Sequence, residues 1–189
     1  MRSIASALIA AVLLCGTSAR ISADALDGAL EVVSAHVDLD HSVYQLHARI
    51  EYPNTPAIRA ALADGVTLAF DVEARITRDR HLWIDPVVDD ATLRRELTYH
   101  TVSDRYVVRD AGDGTLQSFA TLDEALDYLG KVDGWPVLVQ SQLAPTEHYH
   151  VSVRAGVRRG RLPASLRMLL FWTNDWYRAS GWFTWKLKE

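Results

Sequence analysis

The stretch Val66-Thr67-Leu68-Ala69-Phe70-Asp71-Val72-Glu73-Ala74-Arg75-Ile76 decides the fold. One side of an extended chain here carries Val66, Leu68, Phe70, Val72, Ala74 and Ile76. The other carries Thr67, Asp71, Glu73 and Arg75, with Ala69 the only apolar intruder. A period of two is what a strand shows when one face packs on a core and the other meets water. Tyr149, Val151, Val153, Ala155 and Val157 repeat the pattern opposite His148, His150, Ser152, Arg154 and Arg158. So do Tyr44, Leu46, Ala48, Ile50 and Tyr52 opposite Gln45, His47, Arg49 and Glu51. Shorter strands are predicted over residues 30–39, 92–102, 106–109, 116–120, 135–139 and 182–187, and Asp110-Ala111-Gly112-Asp113-Gly114 reads as a hairpin loop.

Two short helices interrupt the strands. Thr55-Pro56 supplies an N-cap with proline at the first helical position, and Gly65 closes that segment. Thr121-Leu122-Asp123-Glu124 is a capping box, followed by Leu122, Ala125, Leu126 and Leu129 on one helical stripe and Gly130 beyond. That stripe should cover a sheet edge or an open end of the core. One-sided strands with short turns, and no strand–helix–strand alternation, predict a mainly β protein. The expected fold is an antiparallel β-sandwich (immunoglobulin-like or an open barrel) with two short helices.

The chain has 189 residues, 49% hydrophobic and 23% charged, with a net charge of −4. This is a folded-domain composition, and the acidic balance gives no electrostatic footprint for nucleic acid. Residues 1–23 read as a cleaved secretory signal: Arg2 supplies the positive start and residues 4–14 the apolar run. Small residues precede a cut after Ala19 or Ala23. The run is shorter than the roughly 20 residues a membrane-spanning helix needs, so no membrane span is expected after cleavage. Leu14 sits where lipidation at Cys15 would require a small residue. Cleavage removes two arginines and the single cysteine. It leaves one domain over residues 24–189, 18 basic against 24 acidic residues, and no thiol or disulfide. The expected location is the periplasm.

Candidate chemistry is sparse. His148 and His150, two apart on one strand, would place two imidazoles on one face, with His36, His47 or His100 as a third metal ligand. The other reading is a solvated strand face. The carboxylate pair Asp89-Asp90, in a loop after Pro86, and the nearby Asp85 could mimic an acid/base or calcium site, but capping or solvation is the usual role there. No Gly-x-Ser-x-Gly elbow, phosphate-cradling loop or Rossmann fingerprint is present, and Ser180 and Ser103 lack a strand–turn–helix setting. No cofactor is implied and no enzymatic activity is expected.

The C-terminal segment stands apart. Trp172, Trp176, Trp182 and Trp185 fall in the last 18 residues, with Tyr177 and Phe183 among them and Phe171 just before. Alternation puts Phe183, Trp185 and Leu187 on one face of a final strand and Trp182, Thr184 and Lys186 on the other. These rings either close one end of the core or leave an exposed binding patch, for which Trp182 is the prime candidate.

Residues 65–68, Leu97-Thr98-Tyr99-His100 with Arg105-Tyr106, the 119–129 segment, Leu162-Pro163, Asp175-Trp176, Ser180, Trp182 and Trp185 together resemble one family, domain of unknown function 4390. Met168-Leu169-Leu170-Phe171-Trp172 and Asn174-Asp175-Trp176 depart from its pattern. The resemblance implies an exported protein of Gram-negative bacteria with no assigned activity, cofactor or catalytic residues. Its association with membrane sensor kinases implies an envelope accessory. The expected function is binding to another envelope protein, such as the periplasmic domain of a sensor histidine kinase. The alternative is a periplasmic carrier of a small molecule or metal ion.

Overall fold

A computed structural model describes residues 30–79, 86–159 and 177–187. The signal segment, with both cleavage positions, lies outside these residues. So do His81, Trp83 and Asp85, and the C-terminal candidates Trp172 and Trp176. The strands in chain order are β1 (Glu31–Asp40), β2 (Val43–Glu51), β3 (Leu68–Arg78), β4 (Val87–His100), β5 (Arg105–Asp110), β6 (Leu116–Phe119), β7 (Lys131–Val139), β8 (Tyr149–Arg159), β9 (Tyr177–Ala179) and β10 (Phe183–Lys186). The helices are α1 (Pro56–Ala63) and α2 (Leu122–Leu129), with a 3₁₀ turn at Gln140–Gln142.

Every strand pairing is antiparallel. A small sheet runs β1-β2-β7, and a large one runs β10-β8-β3-β4-β5-β6, with β9 also pairing to β8. β1 lies against β8 and β10, and β7 against β4, so the sheets face each other as a sandwich and do not close into a barrel. The inner faces carry the residues that alternation selects: Tyr44, Leu46 and Ile50 from β2, Leu68, Phe70, Val72 and Ile76 from β3, and Val151, Val153 and Val157 from β8 are all buried.

Each helix is held by the cap its sequence announces. Ile58 N–H donates to Thr55 Oγ1 at 3.2 Å. Glu124 N–H donates to Thr121 Oγ1 at 3.2 Å, while Thr121 N–H donates back to Glu124 Oε2 at 3.2 Å. The buried stripe Leu122, Ala125, Leu126 and Leu129 closes one side of the sandwich, with α2 touching β5 and β6 of the large sheet and β2 and β7 of the small one. Gly130 ends α2 with an ordinary right-handed φ of −74°. It is glycine for another reason: Ile50 N–H donates to Gly130 O at 2.8 Å, and a Cβ there would collide with the Ile50 carbonyl.

Two expectations are corrected. β4 begins at Val87, so Asp89 and Asp90 belong to a strand and not a loop; they pair opposite Ile76 and Arg75 respectively. As strand neighbours they face opposite sides of the sheet, and cannot work as a carboxylate pair. The outward side of β3 is also not simply wet, because Asp71 is 6% exposed.

Candidate binding surface

The covered outer side of β3 is built by its neighbours. β3 is central, with Asp71 opposite Arg94 of β4 and Gly156 of β8. Arg94 Nε donates to Asp71 Oδ1 at 2.6 Å and Nη2 to Oδ2 at 3.4 Å, while Arg158 Nε donates to Oδ2 at 2.9 Å. The hydrogen bond to Asp71 raises the Arg94 pKa, so that guanidinium is held charged. One step along, Arg154 Nη2 donates to Glu73 Oε2 at 2.6 Å. Gly156 lets the Tyr177 ring approach closely: a Cβ there would stand only 3.1 Å from its Cε2.

Trp182 completes this surface. Its indole sits under two guanidinium groups, with Arg154 Cζ at 4.5 Å and Arg75 Cζ at 4.8 Å from the ring. The segment leading to it is clamped onto β8: Ser180 N–H donates to Ala155 O at 2.8 Å, and Ala155 N–H donates to Ser180 Oγ at 3.0 Å. Beyond it, the hydroxyls of Thr184 and Ser152 are 2.9 Å apart. Trp182 stays 38% exposed. Trp185 faces the other way, opposite Val151, and packs on the core with Phe183 at 5.8 Å between ring centroids. The four candidate tryptophans are therefore not one patch: of the two described, one is an outer-face residue and the other is half-buried against the core.

Charge divides between the outer faces. On the large sheet, Arg75, Arg94, Arg105, Arg109, Arg154, Arg158 and Lys186 outnumber Asp71, Glu73, Asp90 and Glu96. On the small sheet, Glu31, Asp38, Asp40, Glu51 and Asp133 outnumber Arg49 and Lys131.

The histidine pair does not converge. His148 is exposed, and its backbone carbonyl accepts from Asp79 N–H at 2.9 Å. His150 Nδ1 is engaged by Asp79 Oδ1 at 2.7 Å. His100 lies at the far end of β4, opposite Arg105. Among the described residues, no group of three or more His, Cys, Asp or Glu side chains is placed so that it could hold a metal ion. His148 instead borders a half-open cavity of about 1120 Å³ at one end of the sandwich. Val37, Leu39, Tyr44, Leu143, Pro145 and Leu187 also line it, with Asp38 and Glu147.

Sequence reasoning listed Glu73 and Arg75 as charges on a wet sheet and missed their link to Trp182. It also missed the clamp by Ser180, whose hydroxyl donates to Gly181 O at 2.8 Å. For the first, the alternating charges of β3 and β8 are visible in the sequence, but the pairing of the two strands is not. Nothing in the sequence marks the second.

The fold and this surface define a two-sheet antiparallel β-sandwich carrying a basic, aromatic outer face. Residues 27–186 match the family described as Domain of unknown function (DUF4390), and the chain belongs to that family. No curated protein and no solved structure matches it. Among the described residues, no helix is long and apolar enough to cross a membrane.

Proposed function

We propose that this protein is an exported, periplasmic protein that acts by binding another envelope protein, the extracytoplasmic domain of a sensor histidine kinase being the favoured partner. The contact is the outer face of the large sheet around Trp182. One observation carries this reading: a partly exposed indole is held in a fixed position by Arg75 and Arg154 and by the Ser180 clamp. Tryptophan and arginine are the residues that most often dominate binding energy at protein interfaces, and pre-ordered side chains lose less entropy on association. Tyr177, 48% exposed on the adjacent strand, extends the same face.

The test places a photo-crosslinking amino acid at Thr184, on the same face, in cells carrying either wild-type protein or Trp182→Ala. The variant should fold normally, with stability within about 1 kcal/mol of wild type. Its crosslinks to an envelope partner should fall at least about tenfold, as loss of a hot-spot contact of about 2 kcal/mol requires. A folded variant with undiminished crosslinks overturns the assignment.

A second reading rests on the cavity at the end of the sandwich, whose volume of about 1120 Å³ lies just above the usual range of small-molecule sites, roughly 300–1,000 Å³. It makes the protein a carrier, and predicts a small organic molecule in the native mass spectrum of protein taken from a periplasmic extract. A mass equal to the bare chain removes it.

A further inference from the structure

The end of the sandwich that holds the half-open cavity is built from segments tied to one another. Gln140 N–H donates to Ser42 O at 2.8 Å, which joins the 3₁₀ turn after β7 to the β1–β2 turn. Ala144 N–H donates to the Tyr149 hydroxyl at 2.9 Å, and Leu187 N–H donates to Tyr149 O at 2.8 Å. Those two bonds join the 140–148 loop and the segment after β10 to the start of β8. The walls are therefore set before anything enters, and a preformed site loses little entropy on binding.

The lining is apolar where the core runs out. Past the register break of β1, alternation puts Ala35, Val37 and Leu39 on the inward row. Leu39 nevertheless stays 48% exposed, and it lines the cavity with Val37, Leu143, Pro145 and Leu187. The charges on this lining have one sign. The carboxylates of Asp38 and Glu147 belong to it and, among the described residues, no lysine or arginine does; His148, Tyr44 and Tyr149 are its other ionisable groups. Asp38 stands 3.6 Å from His36 Nε2 and 3.8 Å from His47 Nε2. Glu147 differs. It is half-buried and its N–H donates to Ala144 O at 3.1 Å, but its carboxylate has no hydrogen-bond or ion-pair partner among the described residues. A partly desolvated carboxylate without a partner favours a cation and disfavours an anion.

We propose that this cavity takes an organic cation, an apolar body carrying a protonated amine, with the amine paired to Glu147 and the body against Leu39, Leu143 and Leu187. The proposal rests on the carrier reading above and names the class of its ligand. The two parts of the ligand answer two features of the site. The apolar body displaces water from side chains that the core leaves uncovered. The ammonium supplies the donors that the Glu147 carboxylate lacks, and a charge-assisted hydrogen bond is the stronger kind.

The test is calorimetric titration of untagged full-length protein at neutral pH with three probes that share one ring system. They are naphthylmethylamine, a cation; naphthalenemethanol, which is neutral; and naphthoate, an anion. Saturable binding of one equivalent of the amine is expected, about tenfold tighter than the alcohol, with naphthoate the weakest. Glu147→Gln should weaken the amine about tenfold and leave the alcohol within about twofold. Glu147→Asp, which keeps the charge, should keep the preference for the amine. Trp182→Ala, on the outer face of the large sheet, should bind the amine as wild type. Glu147 is a half-buried loop residue, and circular dichroism checks that its variants are folded. Absence of saturable amine binding, an alcohol or naphthoate bound as tightly as the amine, or unchanged amine affinity in Glu147→Gln each overturns the proposal. The carrier reading fails on a separate result, a native mass equal to the bare chain, whereas a preference for naphthoate removes the cation and leaves a carrier of another class.

Discussion

The two outer faces of the sandwich start from the same kind of strand and end as different surfaces. On the large sheet, the acids of β3 are covered: Asp71 is enclosed by Arg94 and Arg158, Glu73 holds Arg154, and Arg154 and Arg75 in turn hold Trp182. On the small sheet, the corresponding groups of β1 stay in water: Asp38 is 68% exposed, with His36 and His47 as its ion-pair partners. The cause is position. β3 lies between two long strands whose arginines reach over it, whereas β2 has as neighbours one strand rich in acids and one that is bulged and short of cations. A charge between long arginine-bearing strands becomes part of a network; a charge near an edge remains available to a ligand.

Breaking that contrast should be costly on one side only. Asp71→Asn removes the negative charge that two guanidinium groups share and replaces one of its two acceptor oxygens with a donor. It should lower stability by about 2–3 kcal/mol, less than for fully buried pairs because both arginines are partly exposed. Urea unfolding followed by fluorescence measures this, and a loss below about 1 kcal/mol would mean that the network is loose.

An intermediate effect is expected from Asp127, which bridges α2 to the small sheet. Lys131 first, and then Arg49, hold its carboxyl below the ordinary value. Because the shift is downward, its contribution is present above the usual carboxylate range near pH ~4 and disappears as pH falls through Asp127's own lowered value. Wild type should therefore exceed Asp127→Asn in urea midpoint at pH 7, and the two should converge in acid. The smallest effect belongs to Asp38→Asn, which should change stability by less than about 0.5 kcal/mol. A larger loss would erase the distinction between the faces.

Much of this architecture was legible in the sequence. Alternation in 66–76, 44–52 and 149–157 placed the inward residues correctly, and Thr55 and Thr121 marked both helix starts, because strand period and caps are local properties. The opposite orientations of Trp182 and Trp185 followed from the same alternation. Partnership between distant strands was not legible. Nothing local says that β8 lies beside β3, so Arg154 and Trp182 could not be joined on paper, nor His36 be set against His47. The β1–β2 turn was hidden for another reason. His41 and Ser42 both adopt positive φ, 46° and 67°, without the Asn-Gly signal that normally announces a two-residue hairpin.

The edge of the large sheet is shared by two strands of three and four residues, β9 and β10, separated at Ser180-Gly181. Among the described residues, the edge beyond β8 is thus cut into pieces too short to template another chain, with the Ser180 hydroxyl bonded to β8 between them. At the other sheet, β1 is ten residues long but carries a register break near Val33 and the outward charges Asp38 and Asp40. Short strands, a bulge and edge charges are the means by which β proteins avoid joining edge to edge. The same turn that leaves Trp182 on the outer face therefore also helps to keep the protein from aggregating.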